Sequence, residues 1–217
     1  GTLSPSDTGV LDPQGTFTVN GRLIASTTTI NLNQGTLSGT AIDLSGTTLN
    51  LNGNLDLSSI GTLTTSETTT YHTNSHNLSW DGSGGDLDGT IHVRSGGRLN
   101  ITATGESEVA ASVILDGGSL DVSSDATLSG PLSIQSSSAL SIASGVTLTY
   151  TDAADIALDT ASLTLNGAGT FNNTGAVLLN HADSILSLTG SSGTLRNLSV
   201  SGADSASPYN YSDSNSD

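Results

Sequence analysis

The phrase that decides the fold occurs twice, as Gly-Gly-Arg-Leu-Asn-Ile at residues 96–101 and as Gly-Gly-Ser-Leu-Asp-Val at residues 117–122. Each copy joins a glycine pair, which favours a turn, to an apolar–polar–apolar triplet, which is typical of a strand with one buried face. Antiparallel sandwiches also contain strands at intervals of about 8–12 residues. A sandwich does not explain why the same glycine pair stands directly before the strand in both copies. The repeat therefore favours a solenoid of stacked coils.

Apolar residues recur at a regular interval over the second half of the chain. Five leucines that each begin an apolar–polar–apolar triplet recur at intervals of about 20–23 residues, a repeat length typical of solenoids: Leu99, Leu120, Leu140, Leu163 and Leu186. A second series, from Val113 to Leu132, has an interval of about 19 residues. A period of about 20 residues with two or three short strands is typical of one coil of a parallel β-helix. We therefore predict an all-β fold, a single-stranded parallel β-helix (β-solenoid) with about 19–23 residues per coil.

The composition suits an extracellular surface and excludes several classes of function. The chain contains no Cys, all four basic residues are arginines, and 20 acidic residues give a formal net charge of −16. Without Cys there is no disulfide scaffold and no thiolate metal site. The acidic balance argues against nucleic acid as a partner, and no apolar run is long enough for membrane insertion. No signal peptide is visible at Gly1, so we expect a mature or excised piece of a protein.

Two stretches interrupt the strand pattern. Residues 64–88 lack regular triplets and hold much of the aromatic and histidine content, so we predict a loop excursion from the solenoid there. Residues 201–217 are rich in Ser, Asp and Asn and contain Pro208, so we predict a flexible tail or linker. The predicted organisation is a β-solenoid over residues 1–200 that includes this excursion, followed by the tail.

Several phrases resemble the repeats of large secreted bacterial surface proteins, namely filamentous-haemagglutinin-type adhesins and autotransporter passenger domains. These phrases are Gly-Gly-x-Leu-x-Val, Leu-x-Ile-x-Ser-Gly and Gly-Thr-Phe-Asn-Asn-Thr-Gly at residues 169–175. The resemblance covers most of residues 15–200. It implies a right-handed parallel β-helix, export from a bacterium, an extracellular or cell-surface location, and service as a stalk or adhesive surface. The implied partners are a polysaccharide, a host or cell surface, or other copies of the chain in a filament or sheath.

The predicted excursion contains four candidate ligand-binding residues: Tyr71, His72, His76 and Trp80. An exposed tryptophan beside amide and hydroxyl side chains is typical of a sugar platform, but Trp80 could equally cap the core. His72 and His76 have the i, i+4 spacing that would align them on a helix, although the intervening sequence has no helical character. A zinc site and two exposed loop histidines both remain open.

The same excursion contains three candidate ligands for calcium. Asp81, Asp86 and Asp88 lie in a glycine-rich segment, and calcium prefers several carboxylate and carbonyl oxygens on a flexible backbone. The alternative is an ordinary turn with solvated acidic side chains. We expect no cofactor, with calcium at these carboxylates as the alternative.

We expect that the protein is not an enzyme. The absence of Lys and Cys excludes P-loop, Schiff-base and thiol catalysis. The acid pairs Asp86/Asp88 and Glu106/Glu108 keep open the alternative of a carbohydrate-active hydrolase or lyase on the same fold, with Asp81 as a further candidate acid. The phrases of polygalacturonase-like enzymes are absent, however.

A further alternative is an ice-binding solenoid, suggested by threonine pairs at residues 16/18, 102/104 and 147/149. These pairs do not recur once per coil.

Overall fold

The computed structural model describes residues 2–4, 10–13, 16–19, 21–25, 28–58, 60–103, 107–158, 160–179, 183–189, 194–195, 198–200 and 210–213. These residues form 28 short strands joined by turns and include no helix. Most of the predicted tail at 201–217 lies outside the described residues.

The strands follow one another in chain order. The first ten are β1 (Thr2–Leu3), β2 (Val10–Leu11), β3 (Thr16–Val19), β4 (Arg22–Ile24), β5 (Thr29–Leu32), β6 (Gln34–Leu37), β7 (Ala41–Asp43), β8 (Thr48–Leu51), β9 (Leu55–Leu57) and β10 (Leu63–Thr64). The next ten are β11 (Thr70–His72), β12 (Asn77–Trp80), β13 (Thr90–Arg94), β14 (Arg98–Ile101), β15 (Ser112–Asp116), β16 (Ser119–Val122), β17 (Ala126–Leu128), β18 (Leu132–Ile134), β19 (Ser138–Ile142) and β20 (Thr147–Tyr150). The remainder are β21 (Ile156–Ala157), β22 (Ser162–Asn166), β23 (Thr170–Asn173), β24 (Val177–Leu179), β25 (Ile185–Thr189), β26 (Thr194–Leu195), β27 (Leu198–Val200) and β28 (Asn210–Asp213).

The strands stack in three rows, each containing about one strand from every coil. Row A consists of β1, β4, β7 and β10, and then of β17, β20, β23 and β26. Row B consists of β2, β5, β8, β11, β13, β15 and β18, followed by β21, β24 and β27. Row C is one ten-stranded sheet of β3, β6, β9, β12, β14, β16, β19, β22, β25 and β28. Every pair of these strands is parallel, which confirms the predicted right-handed β-solenoid, with about 21 residues per turn.

The leucine series is confirmed in part. Leu99, Leu120 and Leu140 lie opposite one another in row C, and Val113 lies opposite Leu132 in row B. Leu140 does not lie opposite Leu163, the next leucine of the series, but opposite Leu165. A shift of two residues keeps the same side chains inward, so the hydrophobic pattern cannot distinguish the two registers.

Alternation along each strand produces a slim apolar core. In β8, for example, Leu49 and Leu51 are fully buried while Thr48 and Asn50 point outward. Most inward positions hold Leu, Ile or Val, because stacked coils leave a narrow interior. The largest buried side chains are aromatic: Trp80, Tyr71, Tyr150 and Phe171.

The predicted excursion at residues 64–88 is wrong for most of its length. Strand β11 pairs with both β8 and β13, and strand β12 pairs with both β9 and β14. This segment is therefore one more coil of the solenoid. The prediction failed because Tyr71 and Trp80 occupy inward positions that neighbouring coils fill with aliphatic residues. The other residues of the segment form the turns between these strands, of which residues 81–86 are the longest.

The described part of the predicted tail also belongs to the solenoid. Strand β28 pairs in parallel with β25, with Leu186 opposite Tyr211. The tail prediction is thus wrong for residues 210–213.

The corner between rows A and B contains a buried column of threonines. Thr28, Thr47 and Thr69 occupy this column in successive coils, and the Thr69 hydroxyl donates to the carbonyl of Leu44 at 3.0 Å. Gly89 occupies the column in the next coil with a φ of +106°, and a Cβ there would lie 2.1 Å from the Thr69 carbonyl oxygen. The close stacking of the coils therefore requires glycine at this position.

Candidate functional site

The outward side of row C contains a continuous line of hydrogen-bonding side chains across five strands. Parallel pairing of β12, β14, β16, β19 and β22 places the following residues in register: Ser79, Asn100, Asp121, Ser141 and Asn166. All five are partly exposed. Because neighbouring strands lie about 4.8 Å apart, the line repeats a polar group at roughly that interval. We call these five residues the polar file.

A depression of about 570 Å³ runs along the polar file and is open to solvent. Its other lining residues are small or apolar: Thr102, Val122, Ser123, Ile142, Ala143 and Gly167. Hydroxyl, amide and carboxylate groups therefore lie beside apolar surface. This combination binds ligands that have both polar and apolar faces.

Contacts between coils position the polar file. The Asn100 side-chain amide donates to Ser79 Oγ at 3.2 Å, and Asn166 Oδ1 accepts a hydrogen bond from the Thr189 hydroxyl. Arg98, in the neighbouring outward column, forms an ion pair with Asp121. The Arg98 side chain is half exposed, so solvent screens this pair. The pair therefore orients the Asp121 carboxylate more than it stabilises the fold.

A second depression, of about 350 Å³, lies at the corner between rows B and C. Glycines from the repeated Gly-Gly phrase form much of its wall. A Cβ on Gly97 would lie 2.3 Å from Thr73 Oγ1, and one on Gly118 would lie 2.6 Å from Val93 Cγ1. The glycine pairs therefore let successive coils approach closely, and their lack of side chains keeps this corner open.

Two of the four predicted ligand residues lie inside the fold. Tyr71 and Trp80 are fully buried, so they form no exposed sugar platform, and Trp80 belongs to the core. The Tyr71 hydroxyl and the Trp80 indole nitrogen have no hydrogen-bond partner among the described residues. Burial, and secondarily the charge of Asp88, raises the pKa of Tyr71 far above its usual value, so the phenol stays neutral.

The two predicted histidines are not paired with each other. His72 lies in β11 and faces outward from row B, whereas His76 lies in the turn before β12. His72 instead lies beside His92 of the next coil, with ring centroids 5.0 Å apart. Sequence reasoning missed this pair because it looked for a partner within one helical turn, and the partner lies one full coil further along the chain.

Both histidines of this pair have a lowered pKa. Burial is the main cause for His72, followed by the nearby His92 and Arg94. Burial and Arg94 also lower the pKa of His92, against an opposing effect of Asp116. The neutral imidazoles are thereby favoured.

The three predicted calcium ligands serve separate hydrogen bonds. Asp81 Oδ1 accepts from the backbone amide two residues later, and Asp86 Oδ1 accepts from the Glu108 amide, each at 2.9 Å. Asp88 Oδ2 accepts from the Thr65 hydroxyl at 3.2 Å. In the part of the chain that the structure describes, no group of three or more His, Asp or Glu residues could hold a metal ion. The predicted set of three carboxylates is therefore not brought together.

A repeated Thr-x-(Asn/His) phrase on row B was missed by the sequence analysis. Its outward side chains form two columns, Thr29, Thr48, Thr70 and Thr90 in one, and Asn31, Asn50, His72 and His92 in the other. The Asn50 side-chain amide donates to Asn31 Oδ1 at 2.9 Å. The return of this phrase once per coil was a visible signal in the sequence.

The Thr-x-Thr pairs behind the ice-binding alternative do not share one surface. Thr18 lies in row C and Thr149 in row A, while Thr102 follows the end of β14. Residue 104 lies outside the described residues, as does Glu106 of the candidate acid pair. The described members of these pairs therefore form no single threonine array.

Comparison with protein-family models, with curated proteins and with solved structures finds no match for this chain. Within the described residues, no helix is long and apolar enough to cross a membrane.

Proposed function

We propose that the chain is a structural and adhesive β-solenoid of a secreted bacterial surface protein, and that it binds a polysaccharide along the polar file. The observation that supports this most is the register of Ser79, Asn100, Asp121, Ser141 and Asn166 beside one depression. A strand spacing of about 4.8 Å is close to the length of one pyranose unit. A linear polymer of sugars could therefore place one unit over each coil.

The charge of the chain favours a neutral or basic polysaccharide as the ligand. A net charge of −16 repels polyanions, and the polar file itself contains a carboxylate, Asp121. Carboxylate, amide and hydroxyl oxygens accept hydrogen bonds from sugar hydroxyls. Ala143 is exposed and lines the same depression, so its methyl group suits the C–H face of a sugar ring.

We propose binding without turnover. Glycoside hydrolysis commonly uses two acids about 5–10 Å apart. Asp121 is the one carboxylate among the described residues that line the larger depression. The alternative, a carbohydrate-active enzyme, is tested with a reducing-sugar assay on the wild-type chain and on the variants Asp121→Asn and Asp86→Ala. Turnover by the wild type that either substitution abolishes would establish the alternative.

A glycan array with the labelled full chain tests binding at the polar file. We expect retention of one class of neutral or basic polysaccharide, with several-fold weaker binding by Asn100→Ala. Asn50→Ala is the matched control, because it removes the same side chain from the outward face of row B. Loss of binding in the control to the same extent, or no retained glycan at all, would reject the proposal.

The surface location and the adhesin-like role rest on the resemblance of the repeats to those of secreted adhesins and on the acidic composition. A solenoid of parallel coils supports such a role, because it grows along one axis and presents long, regular faces. Immunodetection of the protein on intact cells of its native source tests the location.

Self-association into a filament is a second candidate function, supported by the first coil. Leu3 and Val10 are the large apolar side chains that are exposed among the described residues, and both lie in that coil. Among the described residues, strands β1, β2 and β3 end their rows, and an end strand can pair with a strand of a second copy. Light scattering against concentration should show assembly that Leu3→Asp with Val10→Asp abolishes. The charge-matched control Thr40→Asp with Thr64→Asp should still assemble.

A further inference from the structure

The outward face of row B brings together two imidazoles that no part of the proposed function uses. His72 and His92 lie opposite each other in β11 and β13, and their ring centroids are 5.0 Å apart with planes tilted by 42°. Both side chains are half-buried, and both strands are held in a continuous parallel sheet. The backbone therefore holds the two residues side by side.

We propose that His72 and His92 form a binding site for one divalent transition-metal ion, of the class of Zn²⁺, Cu²⁺ and Ni²⁺. Imidazole nitrogen is a preferred ligand for these ions. A tetrahedral ion with Zn–N bonds of about 2.0–2.1 Å holds its two nitrogen ligands roughly 3.3 Å apart. Since each nitrogen lies off its ring centroid and χ2 of histidine is broad, rotation of the rings can bring two nitrogens to that separation.

The hydrogen bonding of His72 supports this site. Its Nδ1 is buried and has no hydrogen-bond partner among the described residues. A buried nitrogen of this kind in a folded protein calls for a partner, such as an ordered water or an ion. An ion shared with His92 would supply one, and water would complete its coordination.

Two charges of opposite sign flank the histidine pair. Arg94 is the nearby cation, and its guanidinium donates to Asn74 Oδ1 at 3.0 Å, while Asp116 lies opposite Arg94 in the next strand. The lowered pKa of each imidazole keeps both rings neutral near pH 7, which leaves their lone pairs available for coordination.

Isothermal titration of the full chain with ZnCl₂, repeated with CuCl₂, tests the site. The variants are His72→Asn and His92→Asn, because asparagine already occupies this column at Asn31 and Asn50. His76→Asn is the matched control, since its ring lies in a turn outside the column. Circular dichroism checks that each variant has the same fold as the wild-type chain.

We expect one ion per wild-type chain and unchanged affinity in His76→Asn. Loss of even an outer partner of a metal ligand costs roughly 10–100-fold in affinity, so each of the other two variants should lose about tenfold or more. Absence of binding by the wild-type chain, equal loss in the His76→Asn control, or full affinity in either His72→Asn or His92→Asn would overturn the proposal. None of these results bears on the polar file, which lies on row C.

Discussion

Ser141 in β19 lies opposite Asn166 in β22, so two residues from successive coils are neighbours on the outward side of row C. The coil between them is longer than the coils before it, yet the strands remain in parallel register. The extra residues are therefore accommodated in the turns. This pairing continues the polar file across the longer coil.

The register can be tested with engineered disulfides, because the chain has no cysteine of its own. Paired Cα atoms in neighbouring strands lie about 4.8 Å apart, within the range of roughly 4.4–6.8 Å that disulfides accept. Ser141→Cys with Asn166→Cys should therefore oxidise to an intramolecular disulfide, as measured by mass spectrometry and free-thiol titration. The control, Ser141→Cys with Thr164→Cys, corresponds to the register from the leucine series and should keep its thiols. The reverse result would show that Leu140 pairs with Leu163.

Gly89→Ala should destabilise the protein more than Gly145→Ala. Both glycines have positive φ, a conformation that costs an L-residue about 1–2 kcal/mol. At Gly145 a Cβ meets nothing within 4 Å, whereas at Gly89 it would clash with the Thr69 carbonyl oxygen. Urea unfolding measures the free energy of unfolding of both variants. Equal losses would mean that the coils are not in tight contact at Gly89.

Tyr71→Phe should leave the free energy of unfolding unchanged or increase it. The Tyr71 hydroxyl is buried without a described hydrogen-bond partner, and an unsatisfied buried polar group is costly. Trp80→Ala in the same coil should cost about 3–5 kcal/mol, since it removes a large buried side chain. Thermal and urea unfolding measure both. A large loss in Tyr71→Phe would indicate a partner for the hydroxyl, and a negligible loss in Trp80→Ala would place this segment outside the core.

Acidification should weaken the wild-type fold more than that of the double variant His72→Asn with His92→Asn. The pKa of each histidine is lowered in the folded chain, so the unfolded chain binds more protons as the pH falls. The stability that the neutral pair contributes is therefore complete above the ordinary histidine pKa of about 6.5 and is lost as the pH falls toward the folded pKa. Arg94 and Asp116 are the charged groups that act on the pair.

Melting curves between about pH 7.5 and pH 5.5 measure this effect as the difference in Tm between the two proteins. Taking the difference in Tm removes the contribution of the carboxylates, because the same carboxylates titrate in the wild type and in the double variant. An equal decrease in Tm for both proteins would contradict the lowered pKa values.

The coil repeat could be predicted because inward positions are chemically uniform. Leu99, Leu120 and Leu140 are identical in type and follow a period of two within each strand. The coil that contains Tyr71 and Trp80 was missed because aromatic residues replace aliphatic ones there. Periodicity detects a recurring kind of residue, and it loses the signal where the residue type at the inward positions changes.

The candidate site could not be predicted from the sequence. Its residues occupy the same register position in successive coils, but they differ in residue type. The polar file changes from Ser79 to Asn100 to Asp121 along the row, and each residue alone looks like an ordinary solvated side chain. The pair of His72 with His92 likewise depends on the register of two coils. Only the alignment of the strands brings these groups together.

The most direct test of the proposed function is to map where the glycan binds. Amide chemical shifts of the full chain would be recorded by NMR before and after addition of an oligosaccharide from the polysaccharide retained on the array. Binding along the polar file predicts that the perturbed amides cluster at Ser79, Asn100, Asp121, Ser141 and Asn166. Perturbations centred on the row B columns, such as Thr70 and Thr90, or no perturbation at saturating oligosaccharide, would contradict it.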